Sequence, residues 1–134
     1  MGLGEAMIIA GVGCRRGAPA AAITAVIEAA LARTGYGKGE LGVIATAAAK
    51  RGEVGIGAAA SALGVPLVFV PRGDLQSASA RTVTRSARVA ALVGVPSVAE
   101  AAALAAGGPA ARLITARIAC GGATCALAET RVEP

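Results

Sequence analysis

The sequence MIIAGVGCRRG occupies residues 7–17. Its first part, Met7 to Val12, is an apolar run of the length of a buried strand, and the glycines and arginines after it mark a turn. A helix is predicted from Pro19 to Thr34, because proline is favoured at the start of a helix, apolar residues then recur at helical spacing, and Gly35 ends the pattern. Strand, loop and helix in this order indicate an α/β protein.

The same alternation continues along the chain. Leu41 to Thr46 and Pro66 to Val70 are predicted to be buried strands, and the alanine-rich segment from Glu53 to Leu63 is predicted to be the helix between them. Three strands joined by two helices predict a parallel sheet with right-handed crossovers.

The next segments are assigned by their turn and capping residues. Arg72 to Ala80 is rich in Ser, Gly and Ala and is predicted to be a loop, and a short capped helix is predicted over Ser86 to Val93. Ser97 and Glu100 have the spacing of a capping box, which opens an alanine-rich helix that stops at Gly107.

The chain closes with two strand-like segments. Leu113 to Ile118 and Ala123 to Ala128 flank the turn Cys120-Gly121-Gly122, which predicts a C-terminal β-hairpin. All 134 residues are predicted to form a single domain. Its fold class is α/β, a three-layer sandwich with a mixed, mostly parallel sheet of about five strands.

The composition excludes several function classes. Hydrophobic residues are 55% of the chain, yet no run reaches the ~20 apolar residues of a membrane span. The absence of histidine excludes imidazole catalysis, the three cysteines lack zinc-site spacing, and two aromatic residues, Tyr36 and Phe69, cannot build a nucleic-acid stacking surface. Residues 1–13 lack the basic start of a signal peptide. We expect a cytoplasmic protein with no metal, no cofactor and no nucleic-acid or membrane partner.

The net charge of +5 points to an anionic partner or to a solvated basic surface. The loop Gly11–Gly17 gives the most specific signal for a binding site, because its glycines let the backbone approach a ligand and the following helix N-terminus favours an anion. Arg15 and Arg16 add forked donors for carboxylate or phosphate. The loop departs from the dinucleotide fingerprint, whose third glycine would come one residue earlier. A plain turn with solvated arginines is the alternative.

Cys14 lies in the same loop. A helix N-terminus beside two arginines lowers a thiol pKa, so an activated thiolate is one interpretation of Cys14. No base accompanies it, and small buried cysteines are common, so a structural role is favoured for Cys14, Cys120 and Cys125.

Other charged residues follow later strands. Lys50 and Glu53 come after the second strand, whose carboxyl end shares a sheet edge with the glycine loop, and are candidates for a charge pair or for an acid and a base. A surface lysine and a first-turn glutamate are the alternative. Arg81, Arg85 and Arg88 would share one face of a helix, which is more often a solvated face than a site.

These segments in this order resemble the cobalamin biosynthesis family that comprises the stand-alone protein CobE and the C-terminal domain of CbiG. The matches span nearly the whole chain, and GCRRG followed by GVPSVAEAAAL is the most specific pair. The matching residues are Gly11–Gly17, Ala45 and Thr46 with Lys50 and Glu53, Leu63–Leu67, Gly94–Leu104 and Gly122–Ala126.

The sequence departs from the family pattern at three places. Ala48 stands where the family often has an Asp two residues before the lysine, which removes a candidate carboxylate. Arg117 stands for a common lysine in the first hairpin strand and keeps its charge but cannot act as an amine. Residues from Gln76 to Arg85 match poorly.

The resemblance implies a role in building the corrin ring of vitamin B12, with a precorrin-type tetrapyrrole as ligand. The acetate and propionate groups of such a ligand also suit an arginine-rich cleft without histidine. Lys50 and Glu53 are the candidate catalytic residues. The candidate substrate-binding residues are Gly13, Cys14, Arg15, Arg16, Gly17, Lys50, Ser97, Glu100, Arg117 and Thr124.

Three functions stay open. The first is a CobE-like accessory protein that binds the tetrapyrrole. The second is a hydrolase or lyase, since CbiG proteins open a precorrin lactone and release two carbons as acetaldehyde; CbiG carries additional N-terminal sequence, which makes the stand-alone form the nearer resemblance. The third is an interaction module in which the alanine-rich helices Glu53 to Leu63 and Ser97 to Ala106 pair with a second copy or another cobalamin-pathway enzyme. Convergence of the glycine loop, Lys50 and Glu53 on one cleft would favour ligand binding.

Overall fold

A computed structural model of the chain describes residues 5–82 and 97–132, and within them a five-stranded sheet is flanked by helices. The strands are β1 Glu5–Cys14, β2 Leu41–Ala47, β3 Leu67–Val70, β4 Arg112–Cys120 and β5 Ala123–Val132. The helices are α1 Ala20–Thr34, α2 Val54–Leu63, α3 Arg72–Ala78 and α4 Val98–Gly107. Short 3-10 turns cover Lys38–Glu40, Ala48–Lys50 and Ser79–Arg81. No helix in the described ranges has the length and apolar character that crossing a bilayer requires.

The sheet is mixed, as predicted. Its strand order is β3-β2-β1-β5-β4, so β1 lies at the centre. β1, β2 and β3 pair in parallel, β5 runs antiparallel to β1, and β4 runs antiparallel to β5. Only β5 among these strands therefore opposes the common direction, which confirms the mostly parallel sheet and the closing hairpin.

Both faces of the central strand are covered. Ile8, Ala10 and Val12 point to one side and pack in a cluster with buried residues of α1 and α2. Ile9 points to the other side and packs in a second cluster with residues of α3 and α4. Because side chains alternate along a strand, β1 contributes to both cores, and the three-layer arrangement follows.

Helix α4 lies directly on the backbone of β1 at Gly11. A Cβ at Gly11 would overlap the carbonyl oxygen of Ala99 and lie 2.7 Å from the backbone nitrogen of Ala103. Residues 99–104 of this helix are all buried. The alanine-rich sequence of α4 is thus used for close helix-on-sheet packing inside this chain, since small side chains let the two backbones approach.

One predicted segment is wrong. Arg72 to Ala80 was expected to be a loop, but Arg72–Ala78 is helix α3 and a 3-10 turn follows. Leu75 and Ala78 are each 3% exposed and pack in the same cluster as α4. Burial of these two residues, which are three positions apart, stabilises the helix, although its Ser and Gly content is typical of a loop. The helix predicted over Ser86 to Val93, with Arg85 and Arg88, lies outside the described residues.

The contact at Gly11 predicts a large effect of a small substitution. Gly11→Ala should lower the free energy of unfolding by about 2 kcal/mol or more, because the new methyl group meets helix backbone that cannot give way. Gly57→Ala is the matched control: Gly57 lies in α2, a Cβ there meets nothing within 4 Å, and the substitution should stabilise by ~0.5–1 kcal/mol. Urea unfolding measures both, and a Gly11→Ala protein as stable as the wild type would contradict the packing described.

Candidate functional site

A cleft of about 240 Å³ opens where β1 and β2 end. In open α/β sheets ligands bind outside the carboxyl ends of the strands, which is where this cleft lies. It receives residues from the loop after β1, the turn after β2, the start of α4 and the closing hairpin. Its lining is Gly13, Cys14, Arg15, Ala47, Ala49, Lys50, Val98, Arg117, Gly122 and Thr124.

The antiparallel insertion of β5 brings the hairpin to the cleft. Gly13 at the end of β1 is paired with Thr124 at the start of β5. The Thr124 hydroxyl donates to the carbonyl oxygen of Gly13 at 3.3 Å, and a Cβ at Gly13 would lie 2.8 Å from that hydroxyl. A larger residue at position 13 would therefore displace a side chain that lines the cleft.

Arg15 is held against the hairpin turn. Its backbone N–H donates to the carbonyl oxygen of Gly122 at 2.9 Å. Gly122 has a φ of 85°, and a Cβ there would come within 2.7 Å of Arg15 Nε. Because Gly122 has no side chain, it leaves room for the Arg15 side chain, which packs against it.

Glu53 anchors the glycine loop and does not line the cleft. Its Oε1 accepts the N–H of Gly17 at 2.8 Å, and Gly17 turns the chain with a φ of 79°. Arg16, next to it, is exposed and lies outside the lining. The loop and Lys50 therefore converge on one cleft, Glu53 fixes the loop from the side, and a catalytic role for Glu53 stays a prediction.

Ser97 and Glu100 lie behind the cleft wall. Both are fully buried, and Ser97 Oγ accepts the backbone N–H of Glu100 at 3.3 Å, which caps α4 as predicted. Glu100 Oε2 accepts the backbone N–H of Arg117 at 2.9 Å. Neither residue lines the cleft, whereas Val98 between them does.

Three of the residues that line the cleft are cationic. Arg15, Lys50 and Arg117 come from three different segments, and the described lining contains no carboxylate. The N-terminus of α4, marked by Val98, adds the positive end of a helix dipole. These groups suit an anion with several charges, and forked arginine donors suit carboxylates in particular.

Cys14 lines the cleft, and its surroundings disfavour the thiolate form. Burial raises the pKa of its thiol above the usual value, the nearby Lys50 ammonium lowers it by less, and the Glu53 carboxylate adds a smaller rise. The raised pKa agrees with the structural role that the sequence favours for Cys14. Cys120 is exposed and Cys125 is buried, and all three cysteines are free.

Arg81 does not contribute to this cleft. Its guanidinium donates to the carbonyl oxygens of Ala111 at 3.0 Å and Gly108 at 3.4 Å, which fastens the 3-10 turn after α3 to the connection between α4 and β4.

Four lining residues carried no chemical signal in the sequence. They are small or aliphatic, and only the fold brings them to the site: Ala47, Ala49, Val98 and Gly122. The buried acceptor role of Glu100 was also missed, since its position three residues after Ser97 is fully explained by helix capping.

Comparison with known proteins identifies relatives of this chain. Residues 8–128 match the family model described as cobalamin synthesis G C-terminus. The curated Protein CobE of Sinorhizobium sp. is 38% identical over 121 residues, which is 90% of this chain and 79% of that protein. The solved structure of CobE, a protein from the cobalamin (vitamin B12) biosynthetic pathway, has a TM-score of 0.88 and 35% identity, and the match covers 92% of this chain and 93% of that one.

Two further solved structures agree with this assignment. The cobalamin biosynthesis protein chiG of Agrobacterium tumefaciens has a TM-score of 0.74 and 39% identity over 92% of this chain and 98% of its own. A putative cobalamin biosynthesis protein G homolog of Sulfolobus solfataricus has a TM-score of 0.66 and 26% identity, and the match covers 92% of this chain and 36% of that longer one. The chain belongs to the cobalamin synthesis G C-terminus family and is a CobE-like cobalamin biosynthesis protein.

Proposed function

We propose that this protein binds a precorrin-type tetrapyrrole through the carboxylates on one edge of the macrocycle. The observation that carries the proposal is the convergence of Arg15, Lys50 and Arg117 on one cleft beside the start of α4. Membership of a cobalamin biosynthesis family supplies the class of ligand, and the acetate and propionate groups of a precorrin supply the complementary charge.

The size of the cleft favours binding of an edge. Pockets that enclose a drug-sized ligand occupy ~300–1,000 Å³, and a tetrapyrrole is larger than such a ligand. The cleft measures about 240 Å³, which suffices for one ring with its carboxylate substituents. The rest of the macrocycle would then project from the protein, where an enzyme that receives the ligand can reach it.

Removal of single cations tests the assignment. Arg15→Met, Lys50→Met and Arg117→Met should each weaken binding of hydrogenobyrinic acid by about tenfold or more, since a hydrogen bond to a charged group contributes about 1.5–3 kcal/mol. Arg16→Met and Arg33→Met remove exposed charges outside the cleft and should change the dissociation constant by less than threefold, or about 0.6 kcal/mol. Spectroscopic titration measures all five.

The pattern of these five results decides the proposal. Equal losses of affinity in all five variants would indicate that net charge alone attracts the ligand, and would contradict a specific binding site in the cleft. Absence of saturable binding by the wild-type protein at low micromolar concentration would overturn the proposed function.

Cys14 reports occupancy of the cleft directly. Its raised thiol pKa means that alkylation by iodoacetamide should be slow at neutral pH and should accelerate as the pH rises, because the thiolate is the reacting form. Saturating hydrogenobyrinic acid should slow alkylation of Cys14 several-fold. Cys120 is exposed, lies outside the cleft lining and serves as the internal control. Peptide mass spectrometry reads both sites, and equal protection of the two cysteines, or of neither, would contradict binding in this cleft.

Opening of a precorrin lactone is the second candidate, and one observation favours it. Lys50 lines the cleft, where an ammonium can polarise a lactone carbonyl. The reaction also needs a group that positions water, and Glu53, the carboxylate predicted as an acid or a base, accepts the N–H of Gly17. We therefore expect binding without turnover.

An acetaldehyde assay with the lactone-bearing intermediate separates the two candidates. The protein should release no more acetaldehyde than a protein-free control, while a full-length CbiG confirms that the conditions permit the reaction. Acetaldehyde release by the wild-type protein that is lost in Lys50→Met would show that the protein is an enzyme.

A further inference from the structure

Strand β4 contains an extra residue next to the cleft. Thr115 pairs with Leu127 and Ile118 pairs with Cys125, so three steps along β4 correspond to two steps along β5. Ala116 and Arg117 thus oppose the single residue Ala126. An insertion of this kind is a β-bulge, which interrupts the ladder of hydrogen bonds and re-aims side chains, often beside a functional site.

A buried carboxylate occupies the bulge. Glu100 is fully buried, and its Oε2 accepts the backbone N–H of Arg117 at 2.9 Å. Burial of a carboxylate is costly unless hydrogen bonds satisfy it, and the bond to Arg117 supplies one such bond to this glutamate in the first turn of α4. Its position is fixed, because α4 is packed on β1 at Gly11.

Arg117 completes the arrangement. It lines the cleft, although the strand that carries it is separated from β1 by β5. The bulge, the bond to Glu100 and the cationic cleft therefore meet at one residue.

We propose that Glu100 is a positioning residue: its carboxylate holds the β4 bulge in the form that keeps the Arg117 side chain in the cleft. The inference rests on the proposed function, because Arg117 is one of the cations assigned to the tetrapyrrole carboxylates. Glu100 does not touch the ligand and acts through Arg117.

A double-mutant cycle separates this role from a general contribution to stability. Glu100→Ala removes the acceptor, and it should weaken binding of hydrogenobyrinic acid about as much as Arg117→Met does, by about tenfold. In the Arg117→Met background the same substitution should change binding by less than twofold. Glu100→Gln keeps an oxygen acceptor and should restore most of the affinity. An equal loss in both backgrounds, or no loss in a folded Glu100→Ala protein, would overturn the proposal.

A second measurement needs no ligand and remains available if Glu100→Ala does not fold. Hydrogen exchange followed by NMR should show the Arg117 amide protected in the wild type and in Glu100→Gln. Rapid exchange of that amide in the folded wild-type protein, while the neighbouring β4 amides are protected, would overturn the proposal. Failure of the wild type to bind hydrogenobyrinic acid would instead overturn the proposed function, and the exchange result would still decide whether Glu100 holds the bulge.

Discussion

The close approach of α4 to β1 at Gly11 is the constraint on which the rest of the structure depends. β1 is the central strand, and α4 lies on it so closely that a Cβ at Gly11 would overlap the carbonyl oxygen of Ala99. The approach requires glycine in the strand and small residues in the helix. It sets the position of the first turn of α4, so that Val98 lines the cleft and the Glu100 carboxylate reaches β4. One packing contact in the core thus positions two of the four segments that form the candidate site.

The sequence predicted those parts of the site that follow from strand order along the chain. Arg15 and Lys50 come after two consecutive parallel strands, and the ends of such strands necessarily share one edge of the sheet. The hairpin could not be placed in the same way, because periodicity predicts β5 but does not say that it pairs with β1. Arg117 and Thr124 were therefore reached through the family resemblance alone. Helix α3 was missed because tertiary burial of Leu75, which no local signal reports, stabilises it.

The carboxyl groups near the site accept backbone N–H groups, which explains why their role is difficult to predict from the sequence. Glu53 was predicted beside the loop and is found there, but it binds the backbone N–H of Gly17. Glu100 binds the backbone N–H of Arg117. Both side chains thus satisfy main-chain donors of segments that carry cations to the cleft. If these two carboxyl groups lined the cleft, they would repel a carboxylate ligand. Because they lie outside the lining, they order the neighbouring segments while the charged residues of the lining are all cationic.

The distribution of the three cations over the sheet bears on the kind of anion that we propose for the cleft. Arg15 follows β1, Lys50 follows β2, and Arg117 lies on β4, with β5 between it and β1. Neighbouring strands are ~4.8 Å apart, so the backbones that carry these charges span roughly three such spacings. A single carboxylate can meet one or two of them, whereas a rigid ring system with carboxylates at intervals along its rim can meet all three without bringing its own charges together. The spacing of the strands, more than the sequence of any one loop, therefore supports the proposal of a large polycarboxylate ligand over a small acid.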